Sequence, residues 1–365
     1  MSAQLQGHYF LSFLFLLVSL GTHAVTPHTV RAIINAGINP AAIAVTPDNR
    51  FAYVANTNNY SLAGEDTVSV LNLTTNTLDQ TITSTSFQQP YRVAINADGT
   101  QVYVTNSAST TVSIINTATR SVEGIIDGFD GPSGIVIAPT GDRAYVNNYG
   151  CDAGVGSGNS TTIRVVDLKT NTIEGEPIIV GLAPAALAIT PNGEFLYVVN
   201  YVDGKAGTGT ISVVQTSDNT VVYTITGFSG PFAIAITPDG KYAYVTNFGS
   251  NDFAPIGTTV SVVDLSNNTV TATINLGIQP AGIAITPDGR RAYATNYNTL
   301  YASAEFKNLT AGQGTVNIID IATHTVMNPA IAVGHSPSSI TIASDGKHAY
   351  VTHFTYNSVS VIALS

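Results

Sequence analysis

Residues 231–247 read PFAIAITPDGKYAYVTN. Two short apolar runs, Ile234 to Thr237 and Tyr242 to Asn247, flank Pro238-Asp239-Gly240. Runs of this length, rich in β-branched and aromatic residues and parted by turn formers, predict two antiparallel strands. Asp-Gly supplies the positive-φ backbone that a tight hairpin needs. Downstream the chain crosses a loop into Thr259 to Asp264 (TVSVVD), turns at Ser266-Asn267-Asn268, and runs through Thr269 to Ile274. The unit therefore predicts four antiparallel strands in succession.

The stretch recurs without a gap six more times, opening at Pro40, Pro90, Pro132, Pro184, Pro280 and Pro337. Every copy closes on an Asn 16 residues later, except the last, which closes on His353. All variation in length lies outside this block. A Tyr recurs in each second strand (Tyr53, Tyr103, Tyr145, Tyr197, Tyr244, Tyr293 and Tyr350) and suits a large ring packed between neighbouring units. Four strands per roughly 40–50 residues, repeated, is the pattern of a propeller blade. Both faces of every strand read as apolar, as expected for blades sandwiched between blades. The seventh unit stops at its third strand, Ser358 to Leu364, while His28 to Ile34 (HTVRAII) matches the fourth strands of other units. The fold expected is all-β: a seven-bladed β-propeller of four-stranded antiparallel blades, closed by the N-terminal strand completing the last blade and leaving no open edge between the chain ends.

Before that ring, Tyr9 to Leu20 is an apolar run of the length of a signal-peptide core, followed by Thr22-His23-Ala24 with small residues suited to cleavage. Residues 1–24 are expected to be a signal peptide and 25–365 a single propeller domain, exported to the periplasm, the cell surface or the medium. The leader lacks Lys and Arg, a departure from the usual pattern. Cys151 is the only cysteine, so no intrachain disulfide forms. Charged residues make up 10% of the chain against about 25% in an average soluble domain. The net charge is −10, with 13 Lys and Arg. So acidic a chain is a poor partner for nucleic acid, whose binding depends on cationic contacts to phosphate.

The blade motif resembles that of the YVTN family of β-propeller repeat proteins, present literally at Tyr103-Val104-Thr105-Asn106 and Tyr244-Val245-Thr246-Asn247. The resemblance covers residues 25–365 almost entirely. It implies an exported, periplasmic or surface-layer protein, from a family mostly without assigned activity and related at the fold level to lactonase-like and quinoprotein-type propellers. It speaks to blade packing more than to function. Blade 7 departs from it at Ala343-Ser344-Asp345-Gly346 and His353, and blade 3 at Thr140-Gly141.

Of the carboxylates, Asp48, Asp98, Asp239, Asp288 and Asp345 occupy hairpin turns, and Asp167, Asp264 and Asp320 end third strands. All eight read as turn fittings that bond backbone amides. The repeating Asn reads as a strand-end donor and acceptor. The loops after the second strands vary from 4 to 18 residues, and variable loops on a rigid ring are where binding is usually carried. On that face the residue after the closing Asn or His is aromatic in five consecutive blades: Tyr149, Tyr201, Phe248, Tyr297 and Phe354. Such a crescent suits stacking of sugar rings or anchoring of a peptide; the plainer alternative is loops packing on their neighbours. Arg92 stands two residues after Pro90, where the other blades have small residues, and suggests a contact to an anion or carboxylate; a structural salt bridge is the alternative. Acidic residues gather in the same loops at Glu65, Asp66, Asp130, Asp152, Asp203, Asp252 and Glu305. Asp152 and Asp203 lie among glycines, a context compatible with Ca²⁺, without a known loop spacing. No other cofactor is implied. His335 and His353 share the face without a third ligand and are weak evidence for zinc.

There is no His-Glu-x-x-His, no Gly-x-Ser-x-Gly and no Walker sequence. The absence of Trp weakens a quinone-cofactor reading. Gly154 to Gly158 is glycine-rich but precedes a strand and reads as a flexible loop. The first reading is an exported, non-enzymatic propeller binding a protein, peptide or glycan of the cell envelope through its loop-rich face. The alternatives are a lactonase-like hydrolase or lyase, with Arg92 holding a carboxylate and His335 or His353 as base, and a structural part of a surface layer or envelope.

Overall fold

Every repeat forms the same sheet. In the computed structural model, which describes residues 27–58, 66–152, 155–156, 158–201, 208–249, 256–298 and 313–364, there are seven four-stranded antiparallel sheets. Blade 5 shows the order from axis to rim: Pro231–Ile236, Tyr242–Gly249, Ile256–Asp264 and Thr269–Asn275. Its hairpin closes where Gly240, at φ 71°, donates its amide hydrogen to the Thr237 carbonyl at 2.8 Å. The Thr237 hydroxyl donates to Asp239 at 2.6 Å, and Asp239 also accepts the Lys241 amide. Asp48, Asp98, Asp288 and Asp345 likewise accept the amide two residues on. Asp167, Asp264 and Asp320 take turn amides after their strands. The eight carboxylates expected to be turn fittings are turn fittings.

The ring closes as the termini foretold. Thr29–Asn35 pairs antiparallel with Ser358–Ala363 and becomes the outer strand of blade 7. The innermost strands touch one another in sequence around the axis, blade 7 returning to blade 1. Seven apolar cores lie between blades, one per junction. Each joins one blade's Tyr to the next blade's first and second strands, and all seven Tyr are at most 3% exposed. Burying these rings with the surrounding Val, Ile and Ala side chains holds the blades in a circle.

One expectation needs correction. The second and third strands are buried on both faces, but the outer strands are not: Thr77–Thr83 and Thr269–Asn275 are exposed at most positions. Blades splay with distance from the axis, so the rim strand has water where an inner strand has a neighbour.

Candidate functional site

In each blade four residues lead from the blade junction to the loop face, and the stretch Tyr244-Val245-Thr246-Asn247 shows how. Tyr244 seals the junction with blade 6, its hydroxyl 2.7 Å from the His324 ring. Val245 is in the core. Opposite Thr246, the inner strand carries a β-bulge between Pro231 and Ala233 that leaves a ladder amide without its usual partner. The Thr246 hydroxyl accepts that Ala233 amide at 2.9 Å and donates to the Ala281 carbonyl of blade 6. Thr105, Thr295 and Thr352 accept the equivalent amides of Arg92, Gly282 and Ser339. Asn247 then donates to the Thr259 and Ser261 hydroxyls of the third strand, as Asn56, Asn106 and Asn200 do in theirs.

The residue before each inner-strand proline is left-handed in all seven blades: Asn39, Gln89, Gly131, Ala183, Gly230, Gln279 and Ser336, at φ 50–56°. Five of them carry a side chain in a region that sterics disfavour, and only Asn39 among these is a common substitute for Gly there. The carbonyl of each accepts the amide hydrogen of the residue after the closing Asn or His at 2.9–3.1 Å. Every member of the aromatic crescent is thereby held by its backbone to the start of its own blade.

Within the crescent the side chains divide. Phe248 and Tyr297 are each 7% exposed and pack with Ala281, with the half-buried Phe232 and Phe354 against them. Tyr201 meets Phe232 edge-on at 6.3 Å and donates its hydroxyl to the Gly249 carbonyl at 2.7 Å. An aromatic body thus runs from blade 4 to blade 7, with Tyr201, Phe232 and Phe354 at its half-exposed surface. Tyr149 is half-buried, its phenol pushed up by burial and by the neighbouring Tyr91. Phe232 and Tyr91 were missed from sequence. Both follow the inner-strand proline, where other blades have Ala or Ser, and both stand in the bulge that turns side chains toward this face. An aromatic at that otherwise small position was the available signal.

Arg92 shares the blade 2 bulge, half-buried, with its guanidinium 5.0 Å over the Tyr91 ring and Nη1 3.5 Å from the Ala41 carbonyl of blade 1. Among the described residues no carboxylate pairs with it. The equivalent position is crowded in blade 6, where a Cβ on Gly282 would lie 3.0 Å from the backbone of blade 7.

The histidines do not converge on a ligand. His353 is 1% exposed and takes the place of the Asn: Nδ1 is 3.1 Å from the His335 carbonyl and Nε2 2.7 Å from the Ser360 hydroxyl. Burial holds its pKa below the usual value. His335 stacks on Tyr356 with ring centroids 4.7 Å apart. Among the described residues no group of three or more His, Cys, Asp or Glu side chains is placed to hold a metal. Asp66 is spent on the amides of Asn58 and Gln89, and Asp130 on that of Cys151. Cys151-Asp152 pairs with Val155-Gly156 in a short ladder, so part of the glycine-rich segment is ordered backbone. Asp203, Glu65, Asp252, Glu305 and the leader 1–24 lie outside the described residues.

The architecture is that of a seven-bladed β-propeller, and comparison with known proteins agrees. A family model described as "Lactonase, 7-bladed beta-propeller" matches residues 17–124. The chain is 48% identical over 59 residues to the PE-PGRS family protein PE_PGRS18 of Mycobacterium tuberculosis, covering 16% of this chain and 13% of that one. It is 28% identical over 131 residues to the seven-bladed beta-propeller protein Rv1057 of the same organism, covering 36% and 30%. The matched stretches thus span less than a third of either relative. A solved structure titled Kuenenia stuttgartiensis Hydrazine Synthase superposes with a TM-score of 0.73 over 94% of this chain and 98% of that one, at 22% identity. That likeness shows the fold alone.

Proposed function

We propose that this propeller is an exported, non-enzymatic binding protein of the YVTN type, engaging a protein, peptide or glycan of the cell envelope through its loop-rich face. The observation that carries the reading is the pairing of a half-exposed aromatic surface, Tyr201, Phe232 and Phe354, with Arg92 elsewhere on the same rim. Aromatic rings supply contact area at low entropic cost. A guanidinium without a carboxylate partner among the described residues favours a ligand bearing one. Tyr149 extends the surface toward blade 3. Residues 1–24 serve export, and Ca²⁺ bound near Asp152 and Asp203 is an accessory to this reading, not its basis.

The test is a screen of purified protein against envelope glycans and envelope protein extracts, repeated with Arg92→Ala combined with Tyr201→Ala. A partner retained by the parent and lost by the double variant, with unfolding unchanged, supports the site. Unchanged binding by the double variant overturns it. A lactonase-type hydrolase or lyase is the second reading, favoured by the family match over residues 17–124, which include Arg92. It asks His335 or His353 to act as base, and both ring nitrogens of His353 are engaged in a buried setting. Turnover on a lactone panel, abolished by His335→Ala, would establish it.

A further inference from the structure

On the opposite face each pair of neighbouring blades meets at a slot. One wall starts at the first residue of a second strand. The other is the left-handed residue that opens the outer strand of the next blade, such as Arg120, Asn268, His324 or His28, at φ 53–58°. Those two residues decide what fills the slot. Between blades 1 and 2, the Arg120 guanidinium lies 4.7 Å over the Phe51 ring and pairs with Asp79. Between blades 5 and 6, His324 stands edge-on to Tyr242 at 5.0 Å. Between blades 6 and 7, His28 is 3.1 Å from the Arg291 guanidinium.

Between blades 4 and 5 the residues are Phe195 and Asn268. Asn268 accepts the Tyr197 hydroxyl at 2.8 Å and is too short to cover the Phe195 ring as Arg120 covers Phe51. A cavity of about 540 Å³ opens there, lined by Phe195, Tyr197, Asp239, Lys241, Asp264 and Ser266. The Thr237 and Ser266 hydroxyls lower the pKa of the two carboxylates further, so both are ionised at neutral pH. Lys241, 3.5 Å from Asp239, offsets one of them. The cavity is left with an open aromatic wall and an excess negative charge.

We propose that the slot between blades 4 and 5 receives an arginine side chain of a partner polypeptide, stacked over Phe195 as Arg120 is over Phe51, and paired with Asp264 of blade 5 because Val222 stands where Asp79 pairs Arg120. A planar guanidinium both stacks on a ring and bonds a carboxylate, which an ammonium does less well. The rim next to the slot gives the partner a track. Val221, Val222 and Tyr223 of the blade 4 outer strand are 38%, 47% and 47% exposed. Val222 stands third in that strand, where blades 1, 2 and 3 carry Asp79, Glu123 and Glu174. Charges on a rim strand discourage edge pairing, and blade 4 lacks one at that position.

The experiment is an NMR titration of the full chain with acetyl-Gly-Arg-Gly-amide, following the Lys241 and Ser266 amides, with the citrulline peptide as control. The arginine peptide is expected to shift both amides saturably, with citrulline at least about tenfold weaker for want of charge. Phe195→Leu should weaken binding by about tenfold. Asn268→Arg plugs the slot from within, as Arg120 does its own, and should abolish the shifts while the rest of the spectrum stays folded. No saturable shift in the parent, equal binding of citrulline, or full binding by either variant would overturn the proposal.

Discussion

The two rims of the ring are held by different means. On the turn rim, side chains cap backbone: carboxylates such as Asp48 and Asp264 take the amides that the hairpins leave over, and the turns hardly differ between blades. Both rims carry left-handed residues, but on the turn rim they are mostly Asn, Gly or His, whereas those before proline on the loop rim include Gln89, Ala183, Gln279 and Ser336, and there the bulge amides are satisfied by Thr hydroxyls. Strain tolerated there is the cost of presenting aromatic side chains at fixed places.

Substitutions along one strand test that comparison, because Tyr244 faces the turn rim and Asn247 the loop rim. Tyr244→Ala removes a ring that is 0% exposed between blades 5 and 6 and should cost about 3–5 kcal/mol in urea unfolding. Asn247→Ala leaves the Thr259 and Ser261 hydroxyls without their shared donor and should cost about 1–3 kcal/mol. The reverse order would mean that the loop-rim peg, not blade-to-blade packing, dominates. Ala183→Gly relieves a left-handed alanine and should stabilise the ring by about 1 kcal/mol; a loss would show that the loop rim is not strained there.

The smallest effect is pH-dependent. Burial lowers the His353 pKa below its ordinary value of 6.5, so the unfolded chain binds a proton that the folded chain refuses. The stabilisation is complete above pH 6.5 and is lost as pH falls below it toward the depressed folded value. His353→Asn restores the residue of the other six blades and should flatten stability below that pH. His28, also depressed chiefly by burial, keeps part of the slope. An unchanged pH profile in His353→Asn would show that His353 does not carry it.

Much of this was legible without coordinates. Strand order, blade count, the closing of blade 7 by Thr29–Asn35 and the turn carboxylates all follow from residues a few positions apart. The site was legible only in outline. Tyr149, Tyr201, Phe248, Tyr297 and Phe354 are equivalent in sequence, yet Phe248 and Tyr297 are buried while Tyr201 and Phe354 are partly open. Phe248 and Tyr297 pack on each other and on Ala281, and Phe232, from the bulge of blade 5, lies against Phe248 and Tyr201 alike. The left-handed residues were hidden as well, since a residue before proline ordinarily favours extended backbone.

The sequence by itself determined a closed ring of seven four-stranded blades, because strand alternation, turn chemistry and repeat length are local properties that a linear pattern records. Only the tertiary structure decided which aromatics meet solvent, that Arg92 rests on Tyr91, that His353 is a buried peg, and that Phe195 lines an open cavity. Each of these depends on how the bulges aim side chains and on which strands and blades meet, and no local pattern encodes that meeting.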